Sequence, residues 1–334
     1  MLTKLPALSE TSPEYWAGKR VLLRLCVNVP MDGERIADDF RIQKVLPTLK
    51  FLLEKGAVVT IISHLGSDGS QSLAPIEKYL CELLSVPSAK QALGTLVIRG
   101  NLRINPGEKV NDESFARELA KDQDVYVNED FPASHREHAS IVGVPKFLPS
   151  FVGLQFEQEV ERLSRFLSPQ EPCVVILGGA KLSTKMPMIN AFLPKAEKIF
   201  LGSFFATVAD DIPKNPKVIL PVDVVRQDGA IVDSGPEALA AMITAVSKAK
   251  SIIWNGPIGK FEVGFSQTTN NLAQAIAANT WAETVVGGGD SIAAIKALNI
   301  MDKFGFVSTG GGAMLDFLAH GTLPGIEAIL KSNN

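Results

Sequence analysis

Val174-Val175-Ile176-Leu177-Gly178-Gly179-Ala180-Lys181 is an apolar run that stops at two glycines and a lysine. The construction recurs twice. Thr284-Val285-Val286 runs into Gly287-Gly288-Gly289-Asp290, and Phe304-Gly305-Phe306-Val307 into Ser308-Thr309-Gly310-Gly311-Gly312-Ala313. A strand that ends in glycines and passes into helix-forming sequence aims backbone N–H groups and a positive helix end at one sheet edge, which suits an anion. Glycine also lets a phosphate approach the main chain where a Cβ would block it. A single such turn reads equally well as a structural device. Three at equivalent positions, with Lys181, Lys185 and Asp290 beside them, favour a nucleotide.

Outward from these turns, strand-like and helix-like runs alternate along the whole chain. Strands are expected at 21–29, 58–64, 95–98 and 125–128, then at 174–177, 198–201, 218–224, 251–254, 284–286 and 305–308. Amphipathic stretches at 43–55, 75–84, 112–121, 184–193, 236–248, 267–278 and 291–298 read as helices. Fully apolar strands separated by helices imply parallel sheets covered on both faces. The expected fold class is therefore α/β, with two doubly wound, Rossmann-like parallel-sheet domains joined by a helix and a cleft between them. Phe156, Val160, Leu163 and Phe166 place one apolar face along 155–167, the joining helix. The expected division is 1–154, a helix at 155–168, 169–315, and a segment at 316–334 that returns to the first domain. Ligands of such folds sit beyond the carboxyl ends of the strands.

The 334 residues are too many for one ordinary core, and 46% hydrophobic content fills two. A net charge of −3 offers no basic excess to track nucleic acid. No apolar stretch approaches a membrane span, and the polar stretch 1–16 does not read as a signal peptide. Cys26, Cys81 and Cys173 lie in apolar surroundings without metal-ligand spacing and read as buried thiols. A cytoplasmic protein, monomeric and without membrane or nucleic-acid partners, is expected.

The strand ends of the first half carry a different chemistry: Arg24 with Asn28, then Arg41, His64, Arg103 and His135-Arg136. Taken singly, each arginine reads as a surface residue paired with a carboxylate. Taken together at successive strand ends they make an anion pocket, with guanidinium forks suited to carboxylate and phosphate. A basic pocket in one half and a phosphate cradle with an acidic metal ligand in the other suggest phosphoryl transfer to a small acid.

At this point the residues resemble the phosphoglycerate kinase family in unbroken motif order, from about 19 to 329. Arg24-Leu25-Cys26-Val27-Asn28-Val29-Pro30 resembles R-V-D-F-N-V-P, and Asp38-Asp39-Phe40-Arg41-Ile42 resembles D-D-T-R-I. Ser63-His64-Leu65-Gly66, Asn101-Leu102-Arg103 and Ser134-His135-Arg136-Glu137-His138-Ala139 follow in order. So do Gly178 to Lys185, Trp254-Asn255-Gly256-Pro257, Phe261-Glu262 and the last two glycine turns. The resemblance implies reversible phosphoryl transfer between ATP and the carboxylate of 3-phosphoglycerate, giving ADP and 1,3-bisphosphoglycerate, with Mg²⁺ accompanying the nucleotide. It assigns catalysis to Arg41, Lys185 and the Gly311 backbone. It places 3-phosphoglycerate on Cys26, Asn28, Arg41, His64, Ser67, Arg103 and Arg136. The nucleotide falls to Gly179, Ala180, Lys181, Lys185, Gly202, Asn255, Pro257, Glu262, Gly288, Gly289, Asp290 and Ser291. Asp290 would ligate the metal, and Asn255, Pro257 and Glu262 would line the ribose side.

The sequence departs from the family at Cys26, at Ser67, in the turn at 202–206 with the two shortened segments that follow it, and at Lys260. Cys26 replaces an aspartate that grips the substrate hydroxyl, and Ser67 replaces an arginine directed at the substrate phosphate, for which Arg99 is a candidate substitute. Gly202-Ser203-Phe204-Phe205-Ala206 replaces a G-G-G-M-A turn beside the adenine. A short link at 210–217 and a shortened loop after Val225 stand for longer segments. Lys260 replaces an apolar residue near the nucleotide. Three readings follow: a trimmed phosphoglycerate kinase, a catalytically impaired paralogue that binds nucleotide or an acidic metabolite, and a kinase for a different small carboxylate. Retention of Arg41, Lys181, Lys185 and Asp290 favours the first. A dehydrogenase is disfavoured for want of G-x-G-x-x-G after the first strand, and a P-loop kinase for want of G-x-x-x-x-G-K-[ST].

Overall fold

The computed structural model describes residues 4–84 and 96–333. The chain divides into two compact units, one holding residues up to 160 together with 322 onward, the other spanning 161–321. In the first unit the elements run β1 (Arg20–Leu25), β2 (Met31–Asp32), β3 (Arg35–Ile36), α1 (Phe40–Glu54), β4 (Val58–Ile62), α2 (Ala74–Leu84), β5 (Leu96–Ile98), α3 (Glu113–Ala120), β6 (Val125–Glu129) and β7 (Ser150–Val152). Helix α4 (Leu154–Ser164) carries the chain from this unit into the second. There follow β8 (Cys173–Leu177), α5 (Met186–Phe192), β9 (Lys198–Leu201), β10 (Val218–Ile219), β11 (Val224–Gln227), β12 (Ala230–Ser234), α6 (Pro236–Val246), β13 (Ser251–Asn255), α7 (Gln267–Ala278), β14 (Glu283–Gly287), α8 (Gly289–Ala297), β15 (Phe306–Val307) and α9 (Gly311–His320). Helix α10 (Pro324–Ser332) belongs to the first unit, where Gly325 N–H donates to the Ser134 carbonyl at 2.9 Å.

Both main sheets are parallel. The first has strand order β5-β4-β1-β6-β7 and the second β10-β9-β8-β13-β14-β15. Leu22 and Leu23 in β1 and all five residues of β8 are buried, as strands covered on both faces must be. The strand order reverses direction between β1 and β6 in one sheet and between β8 and β13 in the other. These are the switch points outside which ligands bind in open α/β sheets. The three cysteines are free and buried.

Several element boundaries differ from those expected. The run 21–29 ends as a strand at Leu25, and Val27 to Val29 form a turn in which Val29 N–H donates to the Val27 carbonyl. The run 218–224 is interrupted at Pro221, leaving two-residue β10 in the sheet and β11 in a separate hairpin. Thr95, the expected start of a strand, lies outside the described residues. At the end of β6, the buried Glu129 carboxylate accepts from the N–H groups of Gln155 at 3.0 Å and Phe156 at 2.9 Å. It thereby caps two of the donors that the first turn of α4 leaves unpaired.

At the second switch point the main chains touch. Gly178 N–H donates to the Asn255 carbonyl at 2.9 Å, and a Cβ on Gly178 would lie 1.9 Å from the Pro257 carbonyl oxygen. A Cβ on Gly311 would fall 2.9 Å from Gly288 Cα. Gly179, one residue on, has φ +79° and open space around its would-be Cβ. The two neighbours therefore need glycine for different reasons. Gly179→Ala is expected to cost about 1–2 kcal/mol of stability from its backbone conformation alone. Gly178→Ala, which must push β8 from β13, should cost more than about 4 kcal/mol or prevent folding. Urea unfolding of the two variants measures the contrast, and equal losses would contradict it.

Candidate active site

In the second unit the three glycine turns form one surface. Lys185 lies between a 3₁₀ turn at Leu182–Thr184 and α5, and is buried. Its ammonium donates to Asn255 Oδ1 at 2.5 Å, and Asn255 Nδ2 donates to the Gly311 carbonyl at 3.0 Å. Burial alone pushes the Lys185 ammonium down to about 8. An ammonium in that position is a receptor for an anion, because a neutral amide replaces little of its lost hydration. The second turn is fixed from beneath, where Gly256 N–H donates to the buried Ser291 hydroxyl at 3.0 Å. Gly288 is the N-cap of α8 with φ +99°, and Gly289 starts the helix with open space around it. The backbone N–H groups there are those a phosphate would meet.

Beside this cluster is a cavity of about 820 Å³. Gly179 and Ala180 line one part of it, Phe204 and Thr207 another, Pro257, Lys260 and Glu262 a third, and Asp290 lies on its wall. Burial, then the neighbouring Glu262 carboxylate, raise Asp290 above the usual carboxylate range. A carboxylate in that state gains most from a cation. A carboxylate on the cavity wall, beside backbone donors suited to phosphate, fits Mg²⁺, which binds through one or two carboxylates plus substrate phosphates.

The structure sorts the expected nucleotide residues. Gly179, Ala180, Pro257, Glu262 and Asp290 line the cavity. Lys181 is exposed. Asn255 and Ser291 are buried in the scaffold under the turns, Asn255 holding Lys185 instead of facing a ribose pocket. Gly202 packs within 3.2 Å of Gly178 Cα, counted from its would-be Cβ, and backs the first turn. The segment after Val225, expected as a truncated loop, is the β11–β12 hairpin, and Arg226, Gly229, Ala230 and Ile231 wall the cavity. Its signal was Asp228-Gly229 between apolar runs; both residues have positive φ, +49° and +79°, as a tight hairpin turn requires.

In the first unit the carboxyl ends of β1, β4 and β6 meet around Arg24. This guanidinium is fully buried and turned inward. It donates to Ser140 Oγ at 3.0 Å, the Leu25 carbonyl at 3.0 Å and His64 Nδ1 at 2.8 Å, and pairs with Asp130 at 2.7 Å. Ser140 in turn donates to buried Glu108 at 2.7 Å. Arg24 is therefore a strut of the pocket and not one of its ligands. A guanidinium only donates, so His64 Nδ1 accepts and its proton sits on Nε2. Burial, then Arg24, hold His64 far below the ordinary imidazole value, so it offers a neutral N–H donor at any working pH. Burial, then Arg103 and Arg136, likewise push His138 down to about 4.

Arg41 is half-buried at the start of α1 and donates to the Asn28 carbonyl at 2.7 Å; Asn28 Oδ1 accepts from Gly66 N–H at 3.0 Å. Arg103 donates to the Ser67 carbonyl at 3.1 Å, and burial, then Arg136 and Arg24, lower its pKa. Arg136 donates to His135 Nε2 at 3.3 Å. Mutual repulsion among guanidiniums is what a bound anion relieves. Cys26 is buried, and burial, then the Asp130 carboxylate, raise its thiol well above the usual value. It stays a neutral thiol, in spite of Arg41 and Arg24 nearby. The reading of the sequence missed Asp130, which brings a carboxylate to Arg24 and to the Cys26 thiol. Its signal was an acidic pair, Glu129-Asp130, ending an apolar strand in a pocket of arginines.

The phosphoglycerate kinase family profile matches residues 14–209 and 205–321. The two matched pieces meet where the chain passes from the Phe204-Phe205 turn into its shortened link. Phosphoglycerate kinases of Roseiflexus sp. and Thermosipho africanus are each 37% identical to this chain, covering 94% and 93% of it and 97% and 95% of the relatives. The solved phosphoglycerate kinases of Coxiella burnetii and Pyrococcus horikoshii superpose with TM-scores of 0.78 and 0.85, at 33% and 28% identity. Each comparison covers 98% of this chain and 99% of the other. The motifs, the two parallel sheets and these likenesses over nearly its whole length agree: the chain belongs to the phosphoglycerate kinase family.

Proposed function

We propose that this protein transfers a phosphoryl group reversibly between MgATP and the carboxylate of 3-phosphoglycerate. The observation that carries the proposal is the buried Lys185 ammonium, held by Asn255 against the glycine turns and pushed down to about 8 by burial. The acceptor carboxylate is already ionised near neutral pH, so no general base is needed. The work left to the protein is positioning and charge neutralisation.

In the first unit, His64 Nε2–H, Arg41, Arg103 and Arg136 hold the phosphoglycerate. The Asp130 carboxylate stands next to Cys26 and pairs with Arg24, so that arginine stays neutralised although position 26 is a thiol. In the second unit, Phe204 stacks on the base, Lys181 and the N–H groups at Gly288 and Gly289 take the phosphates, and Lys185 neutralises the transferred group. Asp290 would hold Mg²⁺, which arrives with the nucleotide and withdraws charge from its phosphate oxygens. The Gly310-Gly311-Gly312 turn, at the start of α9, adds backbone donors.

A steady-state assay with MgATP and 3-phosphoglycerate, coupled to reduction of the bisphosphoglycerate product, tests this reading. Lys185→Ala and Arg41→Ala should each lower kcat by at least about 100-fold, the scale of a lost charge-stabilising donor. Arg41→Ala should leave MgADP affinity intact. A parent chain without turnover, or either variant at near-parent rate, would overturn the assignment. Phe204→Ala should weaken MgADP binding about tenfold, at the low end of base–aromatic stacking, with 3-phosphoglycerate affinity unchanged. Calorimetry on the two ligands separates these effects.

A further inference from the structure

We propose that Lys109 supplies the cation missing at position 67, and that with Arg103 it grips the phosphate of the acid bound in the first unit. The inference rests on the substrate reading given above. Ser67 is exposed and uncharged, yet its carbonyl accepts from two cations, Lys109 Nζ at 2.7 Å and Arg103 Nη1 at 3.1 Å. The loop that carries it is fixed. Asn101 Nδ2 donates to the Leu65 carbonyl at 2.7 Å and to the Gln71 carbonyl at 3.0 Å, pinning both ends. At Gly69, with φ +89°, a Cβ would lie 2.6 Å from the backbone of Arg103, so the loop rests directly on that residue.

One carbonyl engages one of the three ammonium donors and one of the five guanidinium donors. Arg103 Nε is buried and has no hydrogen-bond partner among the described residues. Two positive heads on one oxygen, with donors to spare, repel each other until a dianion with several acceptor oxygens binds. A phosphate monoester is such a group. Asp68, the carboxylate of this loop, is held chiefly by Ser70, through its N–H at 3.0 Å and its hydroxyl at 2.8 Å; the Lys109 charge acts on it more weakly, and the hydrogen bond of that ammonium goes to the Ser67 carbonyl. Arg99 is turned elsewhere: it donates to the Leu119 carbonyl in α3 at 3.4 Å. The cation nearest to the lost arginine's task is therefore Lys109.

Calorimetry on the full chain, with 3-phosphoglycerate and inorganic phosphate as separate titrants, tests the proposal. Lys109→Met should weaken both about tenfold or more, the range of a lost charged hydrogen bond. Lys109→Arg should stay within about threefold of the parent, since a second always-charged donor replaces the first, and Arg99→Met should change neither affinity. Equal affinities for Lys109→Met and the parent, or a larger loss in Arg99→Met, overturn the proposal. A parent that binds phosphate in a Lys109-dependent way but turns over no phosphoglycerate upholds Lys109 and overturns the proposed reaction. A parent that binds neither titrant overturns both.

Discussion

The second unit depends on main chains brought closer than any side chain permits. A Cβ on Gly178 would lie 1.9 Å from the Pro257 carbonyl oxygen, so β8 and β13 end with backbone packed directly on backbone. Gly288 and Gly311 meet in the same way, and Asn255 fills the remaining space with hydrogen bonds to both sides. Asn255 can hold Lys185 only because those turns leave it nowhere else to point. The lowering of that ammonium from 10.5 to about 8 corresponds to roughly 3 kcal/mol of lost hydration. An anion paired with the ammonium would offset part of that cost.

The first unit solves the opposite problem. Its arginines are near enough to repel, and the fold manages them by assigning one to structure. Arg24 is neutralised by Asp130 and tied through Ser140 to Glu108, so the buried charges are paired as burial demands. Arg103 keeps a buried Nε with no partner among the described residues, and His64 is kept neutral by burial and the Arg24 charge. Asp130 also lies against the Cys26 thiol and helps to keep it neutral, while its own charge is paired with Arg24.

Much of this was legible in the sequence because backbone rules are local. Glycines after apolar runs announced the three turns, and unbroken apolar strands announced the parallel sheets. The side-chain partnerships were not legible. Arg24 and Arg103 look alike as arginines near strand ends, and only the fold shows that one meets Asp130 and the other Ser67. The resemblance put Asn255 on the ribose side, yet in the fold it is buried and meets the Lys185 ammonium. Arg99 and Lys109 could be ranked only after α3 was seen to accept the first. The hairpin wall was missed although Asp228-Gly229 is a turn signal, because the run before it was read through Pro221.

The most direct measurement is the titration of the Lys185 side chain, by NMR of lysine labelled at Cε and Nζ and assigned with Lys185→Arg. In the free protein its ammonium should titrate near 8, charged below and neutral above. With saturating MgADP the pKa should rise, because the bound phosphates favour the charged form, so that nucleotide binding takes up a proton above pH 8. A Lys185 that titrates near its ordinary value of about 10.4, unmoved by nucleotide, would contradict the account.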